Sequence, residues 1–544
     1  MDATPATPAW TAWGNEAPTL SPSVQALLTE TLGPLRPQQP AAIEAAELPP
    51  SALPAAVRRR LVRALGAVGV LDDHDSRARH AGGQAYEDLV RRRYGDAADA
   101  PDAVLLPDGA SAVAQVLRIC SEANVAVVPW GGGTSVVGGL AAIRGQAAAV
   151  VALDLSRLDQ LLAVDPVSLT ATFQPGVRTP AAEAALAAHG LTLGHVPQSF
   201  ERASLGGYVV TRSAGQASSG HGRIDDLLVG CRLTTPVGEL HLPDVPGSAA
   251  GPDLRRLVLG SEGTLGVLTE LTLRVRRLPA ATHYEGWMAR SWQDGVELMR
   301  RIAQDGPKPD VARLSDPDET AISLALSGTA GWQRRALDRW LRLRGVTRGC
   351  LVIVGFDGAA SDVRYRRREV RRMLRAGNAV RLGAGAGRSW ERGRFAAPYL
   401  RDSLLDAGVL AETLETAATW SRLPELYAAV RGALVERLTV DGKEPLVGCH
   451  VSHLYSTGAS LYFTVLARAE PGEEVEQWAA AKRAANAAIL EAGGTASHHH
   501  AVGTAHRDVV TTDLGGEVGV AALRAVKQAL DPAGILNPGK LLPD

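Results

Sequence analysis

The run Pro129-Trp-Gly-Gly-Gly-Thr-Ser135 constrains this chain more than any other segment. It follows Val125-Ala-Val-Val-Pro129, an apolar stretch short enough to be a buried strand. Glycines directly after a strand make a loop whose N–H groups can converge on a diphosphate, because no β-carbon stands in the way. Thr134 and Ser135 add hydroxyl donors. The bland alternative is a tight turn. The run is not a Gly-x-Gly-x-x-Gly dinucleotide fingerprint, and no Gly-Lys-Ser/Thr follows it as in a Walker loop.

The surrounding pattern alternates helix and strand. Ser111 is expected to cap a helix on which Val113, Val116, Leu117 and Cys120 recur at helical spacing. Strands are expected at 150–155 and 169–174, and Thr179-Pro180 opens a helix whose first turn tolerates proline. Residues 267–276 alternate as a strand, and Leu278-Pro279 breaks the pattern at a domain boundary. A chain of 544 residues is too long for one ordinary core. The division read from these signals is a helical N-terminal region 1–98, a cofactor domain 99–279, an α+β substrate domain 280–510, and a C-terminal segment 511–544 returning to the cofactor domain.

A net charge of -1 excludes nucleic acid as the main partner, since phosphate binding needs a concentrated basic face. The four cysteines are widely spaced without a Cys-x-x-Cys pair, so neither a disulfide framework nor a zinc site is expected. No apolar run reaches the roughly 18 residues of a membrane span. The N-terminus lacks the pattern of a signal peptide. A cytoplasmic location is the expectation.

Three further Gly/Ser loops accompany the first. They are Gln198-Ser-Phe-Glu-Arg-Ala-Ser-Leu-Gly-Gly207, Thr211-Arg-Ser-Ala-Gly215 and Leu259-Gly-Ser-Glu-Gly-Thr-Leu-Gly266. In order and spacing the four loops resemble the flavin domain of the vanillyl-alcohol oxidase (p-cresol methylhydroxylase) family. The resemblance implies an α+β fold, with a two-subdomain FAD-binding domain and a cap domain built on an antiparallel sheet. It also implies FAD contacts at Pro129, Trp130, Gly131, Gly132, Gly133, Thr134 and Ser135 in the first loop. In the second they fall at Gln198, Ser199, Ala203, Ser204, Gly206 and Gly207, and in the third at Thr211, Arg212, Ser213 and Ala214. In the last they are Glu262, Gly263, Thr264, Leu265, Gly266, Val267 and Leu268. The first loop carries no His or Cys for covalent attachment, so non-covalent FAD is expected.

Four more segments resemble the alkyldihydroxyacetonephosphate synthase subfamily, which makes ether lipids. They are Val311-Ala-Arg-Leu314, Tyr399-Leu-Arg-Asp402 with Glu412-Thr-Leu-Glu-Thr416, 449–463, and Ser497-His-His-His-Ala-Val-Gly503. The start Ala9-Trp-Thr-Ala-Trp-Gly14 is similar as well. The resemblance implies exchange of the acyl group of acyl-dihydroxyacetone phosphate for a fatty alcohol through a flavin N5 adduct, with no net redox change. It assigns Arg401 and Arg313 to a phosphorylated ketone or lipid substrate and Tyr462 to proton transfer. His498, His499 and His500 would orient phosphate or tune Tyr462, and a homodimer with peripheral membrane contact is implied.

The residues permit these roles. Arginine pairs bidentately with phosphate, although a surface ion pair is the alternative for either arginine. Leu461, Phe463 and Val465 make an apolar strand face and put Tyr462 on the other. A tyrosine of ordinary pKa is a poor base unless nearby cations lower it, a role open to the histidines. Neighbours on a strand alternate sides, so three successive histidines cannot all meet one metal, and none is expected.

Three departures from the eukaryotic pattern stand out: Ala501 in place of Gly, Thr504-Ala505 where the relatives are more basic, and His450 where they carry Arg. The competing reading is an FAD-dependent D-2-hydroxyacid dehydrogenase or oxidase, whose ending Ile535-Leu-Asn-Pro-Gly-Lys-Leu541 resembles. Those enzymes carry a Glu-His-Gly-type motif where this chain has Ser-His-His-His-Ala. A non-catalytic flavin or lipid carrier is a third reading, opposed by the joint presence of Arg401, Tyr462 and the histidines.

Overall fold

The computed structural model describes residues 10–15, 17–326 and 331–543, so Ala9 of the N-terminal motif lies outside it. Among the described residues, three larger sheets stand beside a two-stranded pair of Leu191–Thr192 with Arg276–Arg277. The first holds Val70–Leu71, Ala103–Leu105, Ala149–Asp154 and Val125–Trp130 in that order. Its last three strands are parallel, and they read as near-continuous apolar runs because both faces are buried. The second is antiparallel, in the order Leu161–Asp165, Thr170–Phe173, Val267–Arg274, Leu228–Thr235 and Gly238–Leu242.

The third sheet has seven antiparallel strands and carries the catalytic candidates. Its order is Val380–Gly383, Ala281–Ala289, Cys350–Gly358, Val311–Ser315, Leu446–Leu454, Gly458–Arg468 and Val409–Thr419. One face packs on Leu423–Leu438 and Glu474–Glu491, where Leu461, Phe463 and Val465 join Trp478 in the largest core. The alternate residues Tyr462 and Thr464 turn to the opposite face, as the two-residue period of a strand requires.

Two expectations are corrected. Ser111 does not cap its helix: Ala110–Ala123 starts behind the extended Gly109, with no side-chain cap. The strand expected over 267–276 ends at Arg274, Arg276–Arg277 pairing elsewhere, and it is buried on both faces because it lies between two partner strands and two apolar cores. The N-terminal region has one small cluster of its own, Trp10, Ile43, Ala46, Ala78, Ala81 and Ala97 with Ala100, and otherwise packs on the rest of the chain. Leu61 packs on the parallel sheet, Leu28 against Leu404, and Tyr86 beside Trp478.

The C-terminal tail closes on strand Val125–Trp130. Val127 N–H donates to Ile535 O at 2.8 Å, and Asn537 N–H to Val127 O at 2.9 Å. Lys527 Nζ ties the preceding helix Gly516–Leu530 to Thr264 O at 2.7 Å. All four cysteines are buried and unpaired. No helix among the described residues is long and apolar enough to cross a membrane.

Candidate active site

A cavity of about 1150 Å³ lies against the glycine loops and the inner face of the seven-stranded sheet. That exceeds the roughly 300–1,000 Å³ of an ordinary ligand pocket, leaving room for a dinucleotide and a substrate together.

The loop after Val125–Trp130 forms one wall. A β-carbon on Gly132 would collide with the carbonyl of Arg202, and one on Gly131 with Ser204 Oγ. Gly133, at φ +71, takes a backbone conformation that favours glycine. Ser204 caps the helix Leu205–Thr211, its hydroxyl accepting from Gly207 N–H at 3.2 Å. Gly206 presses on Pro175, where a β-carbon would come within 2.6 Å. The loops are thus packed backbone to backbone around the cavity. Gln198 Nε2 and Gln216 Oε1 are buried there without a partner. Open glycine amides, free amide groups and length suit a diphosphate joined to a polar ring system, so the residues fit FAD.

Most expected cofactor residues line this cavity, but four expected site residues stand off it. Arg212, in the left-handed conformation that ends the helix, turns outward to Asp225 at 2.7 Å. Thr264 is buried against Ser261 O, and Leu265 is core. His498 lies behind the wall, with Nε2 2.6 Å from the Tyr455 hydroxyl.

The opposite wall brings together side chains far apart in sequence. Arg401, on helix Ala397–Asp406, donates to Gln84 O at 3.0 Å and Gln84 Oε1 at 3.2 Å. Its guanidinium stands 3.7 Å from Glu412 Oε2, which has no hydrogen-bond partner. Burial pushes Glu412 up, and Arg401 opposes that rise. Arg313 is more fully engaged, 2.8 Å from Glu319 and 3.0 Å from His450 Nδ1. Burial works against the charge of Glu319, but His450 and Arg313 hold it at about 2.

Tyr462 lies in the middle. Its hydroxyl donates to Thr413 Oγ1 at 3.0 Å, and its ring stacks on His450 at 4.9 Å. His499 and His500 flank the same ring at 6.0 and 5.6 Å. Sequence reasoning expected cations to lower this tyrosine. The structure reverses that: burial raises Tyr462 to about 12, with Glu412 and Glu415 adding to the rise. Burial also holds His453 and His498 well below the usual histidine range and His500 at about 3, so these rings are neutral.

Nitrogens of His453, His498 and His499 lie within 4.8 Å of one another. The alternation argument did not anticipate this, because 498–500 is an irregular loop and His453 comes from another strand. That spacing could hold a metal, but hydrogen bonding already engages His498 and His499. The Nδ1 atoms of His498 and His499 face each other at 3.0 Å, and Tyr455 takes His498 Nε2.

Ile322, Leu324, Leu337, Trp340, Leu382 and Trp390 line the same cavity and make up its apolar arm. Sequence reasoning missed Gln84, Glu415 and His453. Glu415 and His453 stand in segments that had been singled out, but only the fold shows them buried against the other groups.

Residues 101–242 match the family model "FAD binding domain", and 278–541 match "FAD linked oxidases, C-terminal domain". An alkyldihydroxyacetonephosphate synthase of Dictyostelium discoideum is 32% identical over 87% of this chain and 78% of its own length. The enzyme of that name from Trypanosoma brucei brucei is 32% identical, over 87% and 78%. A solved structure of an alkyldihydroxyacetonephosphate synthase superposes with a TM-score of 0.83 at 28% identity, covering 98% of this chain and 99% of that one. The 4-ethylphenol oxidase of Gulosibacter chungangensis shares the fold alone, at TM-score 0.69 and 15% identity over 90% of this chain and 97% of that one.

Proposed function

The chain belongs to the alkyldihydroxyacetonephosphate synthase family of FAD enzymes, and from that premise we propose that it exchanges the acyl group of acyl-dihydroxyacetone phosphate for a fatty alcohol. The carrying observation is one cavity that joins glycine loops, an arginine held by Gln84, a tyrosine–histidine cluster and an apolar arm. A redox enzyme acting on a small hydroxyacid would have no use for the arm.

FAD bound in the loops supplies the ring chemistry at N5 that lets the ester bond exchange without net redox change. The chain's own residues supply the rest. Arg401 offers the substrate phosphate a planar fork held in place by Gln84. Arg313, already paired with Glu319, contributes field rather than a direct grip. Tyr462 keeps its proton at neutral pH and serves as a donor within reach of the ketone, while neutral imidazoles beside it accept. The apolar arm takes the acyl chain, then the alkyl chain, and keeps water from the reacting carbon. The alcohol oxygen takes the place of the departing carboxylate, giving an ether and a fatty acid, so atoms and electrons balance.

The same reading takes 99–279 as the flavin half and 280–510 as the substrate half, with 1–98 and 511–544 flanking them. FAD is dissociable, and the chain is a cytoplasmic homodimer that meets a membrane surface to collect its lipid. The test is incorporation of isotope-labelled hexadecanol by the purified yellow protein given palmitoyl-dihydroxyacetone phosphate. Labelled ether without net flavin reduction is expected. No ether, with anaerobic flavin bleaching by a D-2-hydroxyacid, overturns the reading.

A further inference from the structure

The histidine run wraps around a carboxylate. Glu415 Oε1 accepts the Ser497 hydroxyl at 2.8 Å and the N–H groups of His499 and His500 at 3.1 and 2.9 Å. Its Oε2 accepts His498 N–H at 2.6 Å. Successive amides turned onto one anion form a nest, and here the anion is part of the chain. Glu415 is 2% exposed and stands directly across from Tyr462 in the strand register.

The same carboxylate reaches the rings. Glu415 Oε2 lies 3.5 Å from His499 Nδ1, which is also 3.0 Å from His498 Nδ1. If His498 Nε2–H donates to Tyr455, 2.6 Å away, then His498 Nδ1 accepts. Both neighbours of His499 Nδ1 therefore want a proton on it. His499 also lines the cavity, and its ring lies roughly parallel to that of Tyr462.

We propose that Glu415 is the positioning residue of this site, holding His499 as the Nδ1–H tautomer and leaving Nε2, turned away from Glu415, to accept the substrate proton. A buried carboxylate behind a histidine fixes its tautomer and stabilises the imidazolium that forms. In the step itself a C–H bond beside the ketone breaks and its electron pair stays with the carbonyl as an enolate. The proton forms a bond to His499 Nε2. Identifying that proton rests on the ether-exchange reading; the tautomer does not.

The charge environment supports the assignment. Burial opposes a charge on Glu415, yet His499 holds the carboxyl well below its usual range. Glu415 also acts on Tyr462 from the neighbouring strand and on His506, and His450 and His453 face His499 from strand Leu446–Leu454.

The first test needs no variant in the protein's active form. Long-range proton–nitrogen NMR on FAD-loaded protein labelled at histidine, with His499 identified by the signal lost in His499→Asn, reads the tautomer directly. A protonated Nδ1 with a bare Nε2 is expected, and a protonated Nε2 in the neutral ring overturns the proposal whatever the turnover. In Glu415→Gln that preference is lost while the flavin stays bound. Its kcat falls by about 10²-fold or more, the scale of a general base, with KM for the ketone nearly unchanged. The acidic limb of its kcat/KM profile moves to lower pH, because a negative neighbour no longer favours the imidazolium. A purely structural role would not move that limb. A Glu415→Gln enzyme with wild-type kcat and pH profile overturns the proposal. Should that variant fail to fold, the wild-type tautomer still decides. Absence of ether product from the wild type would sink the reaction reading and leave the tautomer test standing.

Discussion

Glu262, in the last glycine loop, accepts the backbone N–H of Gly503 at 2.8 Å, although 241 residues separate them. It accepts Val502 N–H as well, at 2.9 Å. One carboxylate thereby fastens the histidine loop to the loop that lines the flavin end of the cavity. Ala501, just before, is held at φ +74, a conformation that costs an ordinary residue about 1 kcal/mol.

That link gives a pH prediction. Burial raises Glu262 to about 7, against the pull of the two N–H groups and Lys540. The folded state therefore binds this proton more tightly than the unfolded chain. Its contribution is fully present below the unfolded value of 4.5 and is lost as pH rises through about 7. Tm of the wild type should fall relative to Glu262→Gln between those values. Parallel Tm profiles for the two proteins would contradict this.

Gly132→Ala should yield colourless protein. The added carbon meets the Arg202 carbonyl, a backbone group that cannot step aside, so the diphosphate wall must deform. Flavin absorbance relative to protein absorbance measures the loss, and a fully yellow variant would refute the assignment of this loop.

Arg401→Lys keeps the charge but not the fork, and it also gives up the paired bonds to Gln84. KM for the phosphorylated ketone should rise by about tenfold or more, on the scale of one charge-assisted hydrogen bond. FAD content should not change. Arg313→Lys should matter less to KM, because Glu319 already neutralises that position.

Tyr462→Phe removes the hydroxyl that meets Thr413 and leaves the ring stacked on His450. Activity should drop by about 10²-fold while the protein stays yellow and folded. Because burial places this tyrosine at about 12, the wild-type pH–rate profile should show no basic limb from it below pH 10. Full activity in the variant would remove Tyr462 from the reaction.

Some of this was determined by the sequence alone. Strand Val125–Trp130 and the glycines after it are local features, since apolar β-branched residues build the strand and only glycine leaves the amides open. The alternation around Tyr462 likewise told which side chains share a face, because the two-residue period is a property of the backbone. Other features arose only when distant segments met. Nothing near Glu415 foretells that its carboxylate collects three amides from 83 to 85 residues away, and nothing near Tyr462 foretells a raised pKa. Burial and charge are set by the neighbours that packing brings, and those neighbours come from separate strands, a helix and an irregular loop. Tertiary structure therefore decided which groups carry charge, which rings are neutral and which expected ligands turn away from the cavity.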